Sequence, residues 1–440
     1  MMEDITKSLD DMESKFLNSE KIPKKIKVVI IILIILTIFF AAAMIFFIIF
    51  YFTKTDEIEK KSDNHDNEDY LLEINGFKEK WYDIYGNRTI NISYVEKDKI
   101  PNSFHKNGGN YREEIGDINE GIDYSKHEDV NVYDLYIPYS SLSKKNESNG
   151  IILFVHGGGF ENNTKEETEC FAVRFAKLGY ITANIEYSNC LDKYKEKSFF
   201  RIIDEITACI KSIKYELESQ GFDGSKLKLS LYGISAGGQL ILLYAFLNKI
   251  EIIPLKFIIN SVGISDMDDF YWYKPAIKNE TLDNIENISD IENSRNAKTI
   301  VPIDPQFVLH IMNLMTGKKL KQDELDKLIV NGRINKDDEK YKQMYKYAKY
   351  GSPFQVIENK IIPMLCLYGG NDDLVGVAHY SHLREAYIKN NADDKIELVY
   401  MKYGGHERFH HGTEHDIKAM KEMHYKMVEY AEKYFNSDSD

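Results

Sequence analysis

Gly233-Ile234-Ser235-Ala236-Gly237 has the G-x-S-x-G spacing of a nucleophile elbow, in which a serine on a sharp strand-to-helix turn projects its hydroxyl into a site. The flanking glycines let neighbouring backbone pass closely. The context agrees: an alternating strand, 227–232, enters the turn, and an Ala/Leu-rich helix, 236–247, leaves it. A serine hydroxyl is hardly ionised at neutral pH, so it needs a base, supplied by a histidine that a carboxylate orients. Chain order after such an elbow is serine, acid, histidine.

Both partners stand downstream, each just past an apolar strand. The strand 364–368 opens into Gly369-Gly370-Asn371-Asp372-Asp373, so Asp372 is the candidate acid, with Asp373 the adjacent alternative. The strand 396–401 runs into Lys402-Tyr403-Gly404-Gly405-His406, and His406 is the candidate base. Loops at the carboxyl ends of parallel strands are where such sites form. His410, His411 and His415 follow, and a metal site is an alternative reading of that tract. No carboxylate or cysteine set completes a coordination sphere, and no metal or organic cofactor is expected.

Acyl transfer through a serine also needs donors for the oxyanion of the tetrahedral intermediate. His156-Gly157-Gly158-Gly159-Phe160 follows the strand 151–155 and has the HGGG form of such a loop. Gly158 and Gly159 are the expected amide donors there, joined by Ala236 from the elbow. Side chains at these glycines would obstruct a carbonyl's approach.

Short apolar runs alternate with helical stretches from about residue 90 onward, the pattern of an α/β domain with a mostly parallel sheet flanked by helices. Strands are predicted at 132–137, 151–155, 181–187, 227–232, 257–262, 364–368 and 396–401, and helices at 166–178, 199–217, 236–247 and 415–435. The stretch 264–355, mostly polar, is too long for a plain connection. It reads as a cap inserted over the site, with a peripheral structural subdomain as the alternative.

Taken together, the run Asp134-Leu135-Tyr136-Ile137-Pro138, the HGGG loop, Phe175-Ala176-Lys177-Leu178-Gly179-Tyr180, the elbow, 369–375 and Gly404-Gly405-His406 resemble the hormone-sensitive-lipase-like carboxylesterases and the neighbouring acetyl-xylan or feruloyl esterase-like hydrolases. The resemblance implies an α/β-hydrolase fold and hydrolysis of carboxylic esters through an acyl-enzyme, on a small-molecule or carbohydrate ester with a short acyl or acetyl group. One departure stands out: such enzymes often carry Tyr-Arg after the strand that follows the oxyanion loop, and here Tyr187-Ser188 stands. A prolyl-oligopeptidase-like peptidase shares the triad order but usually carries a large accessory domain. A silent hydrolase fold used for surface binding is the other alternative, although such proteins commonly lose triad members.

Ahead of the catalytic domain, expected over 88–440, the run 28–52 carries no charge for about 25 residues, roughly 37 Å as a helix at about 1.5 Å per residue. It is predicted to cross a membrane once; cleavage as a signal peptide is the rival reading. Lys21, Lys24, Lys25 and Lys27 crowd its N-terminal side, so residues 1–27 are expected in the cytoplasm and the catalytic domain on the other side. Residues 53–87, rich in Asp, Asn, Glu and Lys, read as a polar stalk. The formal charge of −14 over 440 residues opposes nucleic-acid binding. Of the four cysteines, Cys209 shares an apolar helical stripe with Ile202, Ile206, Ile210 and Ile213 and reads as a buried hydrophobe, while a Cys170–Cys190 bridge is an open possibility.

Overall fold

The structure, a computed structural model, describes residues 86–93, 131–189, 199–248, 251–267, 273–275, 300–302, 310, 313–314, 321–330, 333–334, 337–358, 360–370, 372, 374–401, 404–406 and 414–436. The expected membrane span, the cytoplasmic tail, all of the expected stalk but its last two residues, Cys190, Asp373, His410 and His411 lie outside them, as does the side chain of His415. Among the described residues no helix is long and apolar enough to cross a membrane.

Eight strands form one sheet: β1 Gly86–Ser93, β2 Val132–Pro138, β3 Asn149–Val155, β4 Ile181–Glu186, β5 Leu227–Ile234, β6 Leu255–Ser261, β7 Met364–Gly369 and β8 Ile396–Met401. Their order is β1-β2-β4-β3-β5-β6-β7-β8. β2 runs antiparallel to both β1 and β4, and every pair from β4 to β8 is parallel. β2, β4 and β7 are buried along their whole length, because helices cover both faces and leave no side of the strand for water.

The alternation of β5 divides the core in two. Leu229 and Leu231 face a cluster formed with α2 (Phe199–Ser219), α3 (Ala236–Leu247) and α6 (Ala378–Lys389), whereas Tyr232 faces the other side, packing with α1 (Glu169–Lys177) and α7 (Glu414–Asn436). The α2 stripe Ile202, Ile206, Cys209, Ile210 and Ile213 is fully buried as its spacing predicts, and burial pushes the Cys209 thiol well up, away from reactivity. α3 is enclosed almost throughout, which fixes the residue at its head.

Within 264–355 the two longest described helices are α4, Gln322–Leu328, and α5, Glu339–Gly351. The end of α5 is tied to the sheet domain: Gln239 of α3 donates to the Gly351 carbonyl at 2.6 Å, and Ser352 Oγ accepts the Met267 amide at 2.8 Å.

Candidate active site

β3, β5, β7 and β8 all end on the same edge of the sheet, and the loops that leave them bring the predicted residues together. Ser235 follows β5 with φ 53° and ψ −118°, a conformation that costs an L-residue of order 1–3 kcal/mol and persists only when its surroundings dictate it. They do so here through the Ser235 amide, which donates to the Ser261 carbonyl at 2.8 Å, and the Gln239 amide, which donates to the Ser235 carbonyl at 3.1 Å. The elbow also has no space for side chains at its glycines. A Cβ at Gly233 would strike the Gly237 carbonyl, and one at Gly237 would strike the carbonyls of Val155 and His156.

His406 Nε2 lies 2.9 Å from Ser235 Oγ, and its Nδ1 lies 2.9 Å and 3.1 Å from the two carboxylate oxygens of Asp372. A carboxylate only accepts, so Nδ1 carries the proton and the bare Nε2 accepts the serine hydroxyl. The Asp372 side chain is fully buried, whereas that of His406 is 15% exposed. Asp372 Oδ1 also accepts the amides of Leu374 and Val375 at 2.9 and 2.8 Å, which orients the carboxylate. The acid and histidine loops touch: the Gly370 amide donates to the Met401 carbonyl at 2.8 Å, and a Cβ at Gly369 would strike the Gly404 carbonyl.

Beside this chain lies the glycine loop. Gly158 and Gly159 have φ of 98° and 61°, which glycine adopts without strain. The amides of Glu161 and Asn162 donate to the Gly158 carbonyl at 3.1 and 2.9 Å, closing a turn. Ala236 is the first residue of α3, where the amide has no intrahelical acceptor. The glycine loop and the head of α3 thus lie on either side of the Ser235 turn: a Cβ at Gly157 would sit 3.3 Å from Ser235 Cβ.

The residues that hold this loop were not singled out by spacing. The Tyr187 ring stacks on the His156 ring with centroids 4.0 Å apart. Its hydroxyl reaches the carbonyls of both His156 and Gly157 at 3.0 Å, and His156 Nδ1 donates to the Gly157 carbonyl at 2.9 Å. Burial lowers the His156 pKa to about 4, so the ring is neutral at pH 7. Glu186, whose Oε1 is 4.0 Å from His156 Nε2, is raised to about 7 by its own burial. The sequence signal available for Tyr187 was its place at the Tyr-Arg position of the resembling family.

At the departure from the Tyr-Arg pattern, Ser188 donates its hydroxyl to Glu205 at 2.7 Å, and a guanidinium arrives from α2 instead: Arg201 donates to the Ser188 carbonyl at 3.0 Å and to Glu205 at 3.1 Å. From the 264–355 stretch, His310 Nε2 sits 2.8 Å from Glu161 Oε2 on the glycine loop. Among the described residues no group of three or more His, Cys, Asp or Glu could hold a metal ion.

The sheet order, the strained serine after β5 and the hydrogen-bonded Ser235-His406-Asp372 chain on the carboxyl edge define an α/β-hydrolase. Residues 133–387, more than half of the chain, match the BD-FAE family; the protein belongs to this α/β-hydrolase esterase family and is an ester-hydrolysing enzyme. No curated protein matches the chain. Among solved structures, it is similar to a truncated carbohydrate esterase from gut microbiota, with 14% identity over 80% of this chain and 98% of the other and a TM-score of 0.45. It is similar also to esterase B from Lactobacillus rhamnosis, at 12% identity, 87% and 97% coverage and a TM-score of 0.45. A butyrate-bound thermophilic esterase from the planctomycete Thermogutta terrifontis aligns at 17% identity, 70% and 92% coverage and a TM-score of 0.42.

Proposed function

We propose that the protein is a membrane-anchored serine carboxylesterase that cleaves short-chain acyl or acetyl esters, with Ser235 as nucleophile, His406 as base and Asp372 as its orienting acid. The observation that carries this reading is the unbroken chain of contacts from Ser235 Oγ through His406 to Asp372, at 2.9 Å on each side of the imidazole. Ser235 Oγ attacks the ester carbonyl as its proton passes to His406 Nε2. The amides of Gly158, Gly159 and Ala236 hold the oxyanion, and Asp372 stabilises the imidazolium. His406 then gives the proton to the departing alcohol, leaving the acyl-enzyme. A water molecule, deprotonated by His406, repeats the sequence and releases the acid with Ser235 restored.

Membership of the BD-FAE family supports ester hydrolysis; preference for a short acyl group on a small-molecule or carbohydrate alcohol is what the sequence resemblance implies. The stretch 264–355 serves as a cap; the His310–Glu161 contact, which joins it to the glycine loop, supports this. Anchoring rests on the uncharged run 28–52, with the lysines before it keeping the N-terminus cytoplasmic and the catalytic domain opposite.

Hydrolysis of p-nitrophenyl esters from acetyl to palmitoyl by the full chain tests the proposal, with Ser235→Ala and fluorophosphonate labelling as controls. Rates falling steeply with acyl length, and loss of both activity and labelling in the variant, are expected; full activity in Ser235→Ala would refute the assignment. Protease accessibility of the catalytic domain in intact cells and spheroplasts tests its placement across the membrane.

A further inference from the structure

We propose that Glu167 is the positioning residue that aims the amides of the glycine loop, an inference that rests on the catalytic reading of Ser235, Gly158 and Gly159 given above. Its carboxylate Oε2 accepts the Gly157 amide at 2.7 Å from ten residues along the chain. The peptide group between His156 and Gly157 is therefore held at both ends, by Glu167 at its N–H and by the Tyr187 hydroxyl at its carbonyl, 3.0 Å away. In a planar trans peptide these two groups point in opposite directions, so fixing both fixes the plane. The next peptide has its carbonyl held by His156 Nδ1 and Tyr187, which turns its N–H, that of Gly158, to the opposite side. Gly157 is the swivel between the two planes and has no side chain to restrain it.

The seat of Glu167 is as firmly built as the loop it holds. It stands on the short turn Lys165–Thr168. The Lys165 amide donates to Glu186 at 2.7 Å, its carbonyl accepts from Asn184 at 3.0 Å, and its ammonium is 3.3 Å from Asp134. β2 and β4 thus grip this turn through buried side chains. Gly157 lies between this carboxylate and the nucleophile: a Cβ built on it would sit 3.3 Å from Ser235 Cβ and 3.7 Å from Glu167 Oε1. Glu167 is itself exposed, so its replacement opens no cavity, and the consequence should appear in the chemistry.

What the loop requires of Glu167 is an acceptor oxygen at this distance, and length-matched variants isolate that requirement. Glu167→Met in the full chain removes the acceptor and Glu167→Gln keeps it. With p-nitrophenyl acetate, Glu167→Met is expected to lower kcat by about 10- to 100-fold, below the loss for deleting an oxyanion donor outright, with KM within about twofold. Affinity for a trifluoromethyl ketone, which forms a hemiketal oxyanion on an active serine, should fall by a similar factor. Glu167→Gln should stay within about threefold of wild type on both readouts. Glu167→Ala, checked by its melting transition, repeats the acceptor-free case should the methionine pack differently. Wild-type kcat and ketone affinity in both acceptor-free variants, a change confined to KM, or an equal loss in Glu167→Gln would each overturn the proposal. A Ser235→Ala variant assayed alongside separates the two levels: if it retains activity the catalytic reading itself fails, and if it is dead while Glu167→Met is unimpaired only the role of Glu167 fails.

Discussion

The two sides of Ser235 are held in different ways. On the β3 and β4 side, His156 and Tyr187 are fully buried, stacked, and bonded to successive backbone carbonyls, and Gly157 is tied down by a side chain from a separate turn. On the β7 and β8 side, the His406 imidazole is partly exposed and among the described residues is bonded to Asp372, which orients it, and to Ser235, whose hydroxyl faces its Nε2. Each arrangement suits its task. Dipoles that stabilise an oxyanion contribute most when they need no reorganisation, whereas a base that takes a proton from serine and delivers it to the leaving alcohol needs a little freedom about its ring.

This contrast predicts that the relay side can be broken in activity without being broken in fold. Asp372→Asn keeps an oxygen for the amides of Leu374 and Val375 but presents an N–H₂ group to His406 Nδ1. The imidazole then carries its proton on Nε2, facing the serine it should deprotonate. The expected result is a fall in kcat of about 10⁴-fold, with a melting temperature close to wild type, read by p-nitrophenyl acetate hydrolysis and calorimetry. A large drop in melting temperature would mean that this side carries the fold as well.

Gly158→Ala attacks the other side, where both readouts should move together. Its φ of 98° is strained for alanine, and the new Cβ would collide with the Asn162 carbonyl. Activity should fall about 10²- to 10³-fold as donors leave their positions, and stability by about 1–3 kcal/mol from the backbone strain, checked by chemical denaturation. Tyr187→Phe is the milder version. It keeps the stack on His156 and removes the hydroxyl from two carbonyls, for an expected loss of about 1 kcal/mol and roughly tenfold in kcat.

The same contrast governs what could be read from the chain. Ser235, Asp372 and His406 were legible because each follows a strand whose apolar pattern is strong, and 227–232, 364–368 and 396–401 lie within the observed β5, β7 and β8. The helix predicted at 236–247 matches α3 residue for residue, since its composition is apolar on every face, as burial requires. Glu167 and Glu186 were not legible as parts of a site, and Tyr187 was marked only by its place at the family's Tyr-Arg position. Their roles arise from β4 pairing beside β3, a contact between distant segments that leaves no spacing in the sequence. β1 was missed as a strand for a related reason: Gly-Asn-Arg-Thr-Ile-Asn-Ile-Ser is polar enough to read as a surface segment, and it is the sheet edge that makes it a strand. Its Arg88 is recruited to Asp134 and Glu169 at 3.1 and 2.8 Å, contacts that composition does not announce.

The last effect is one of pH, expected in stability and least in turnover, and it probes how the buried frame tolerates its own charges. His156 is lowered from 6.5 to about 4 by burial, so the unfolded chain binds its proton more tightly. That contribution to stability is complete above pH 6.5 and is lost as pH falls through 4. Glu186 is raised from 4.5 to about 7, so the folded protein binds its proton more tightly. Its contribution is complete below pH 4.5 and is lost as pH rises through 7. Between pH 4.5 and 6.5 the two slopes oppose each other, and wild-type stability should change little there on their account. Glu186→Gln retains an acceptor for the Lys165 amide and removes one slope. Its melting temperature should then climb with pH across that window and, relative to wild type, gain most above pH 7. Parallel pH profiles for the variant and wild type would show instead that Glu186 titrates alike in the folded and unfolded chain, so that its carboxylate adds no strain to the frame around His156.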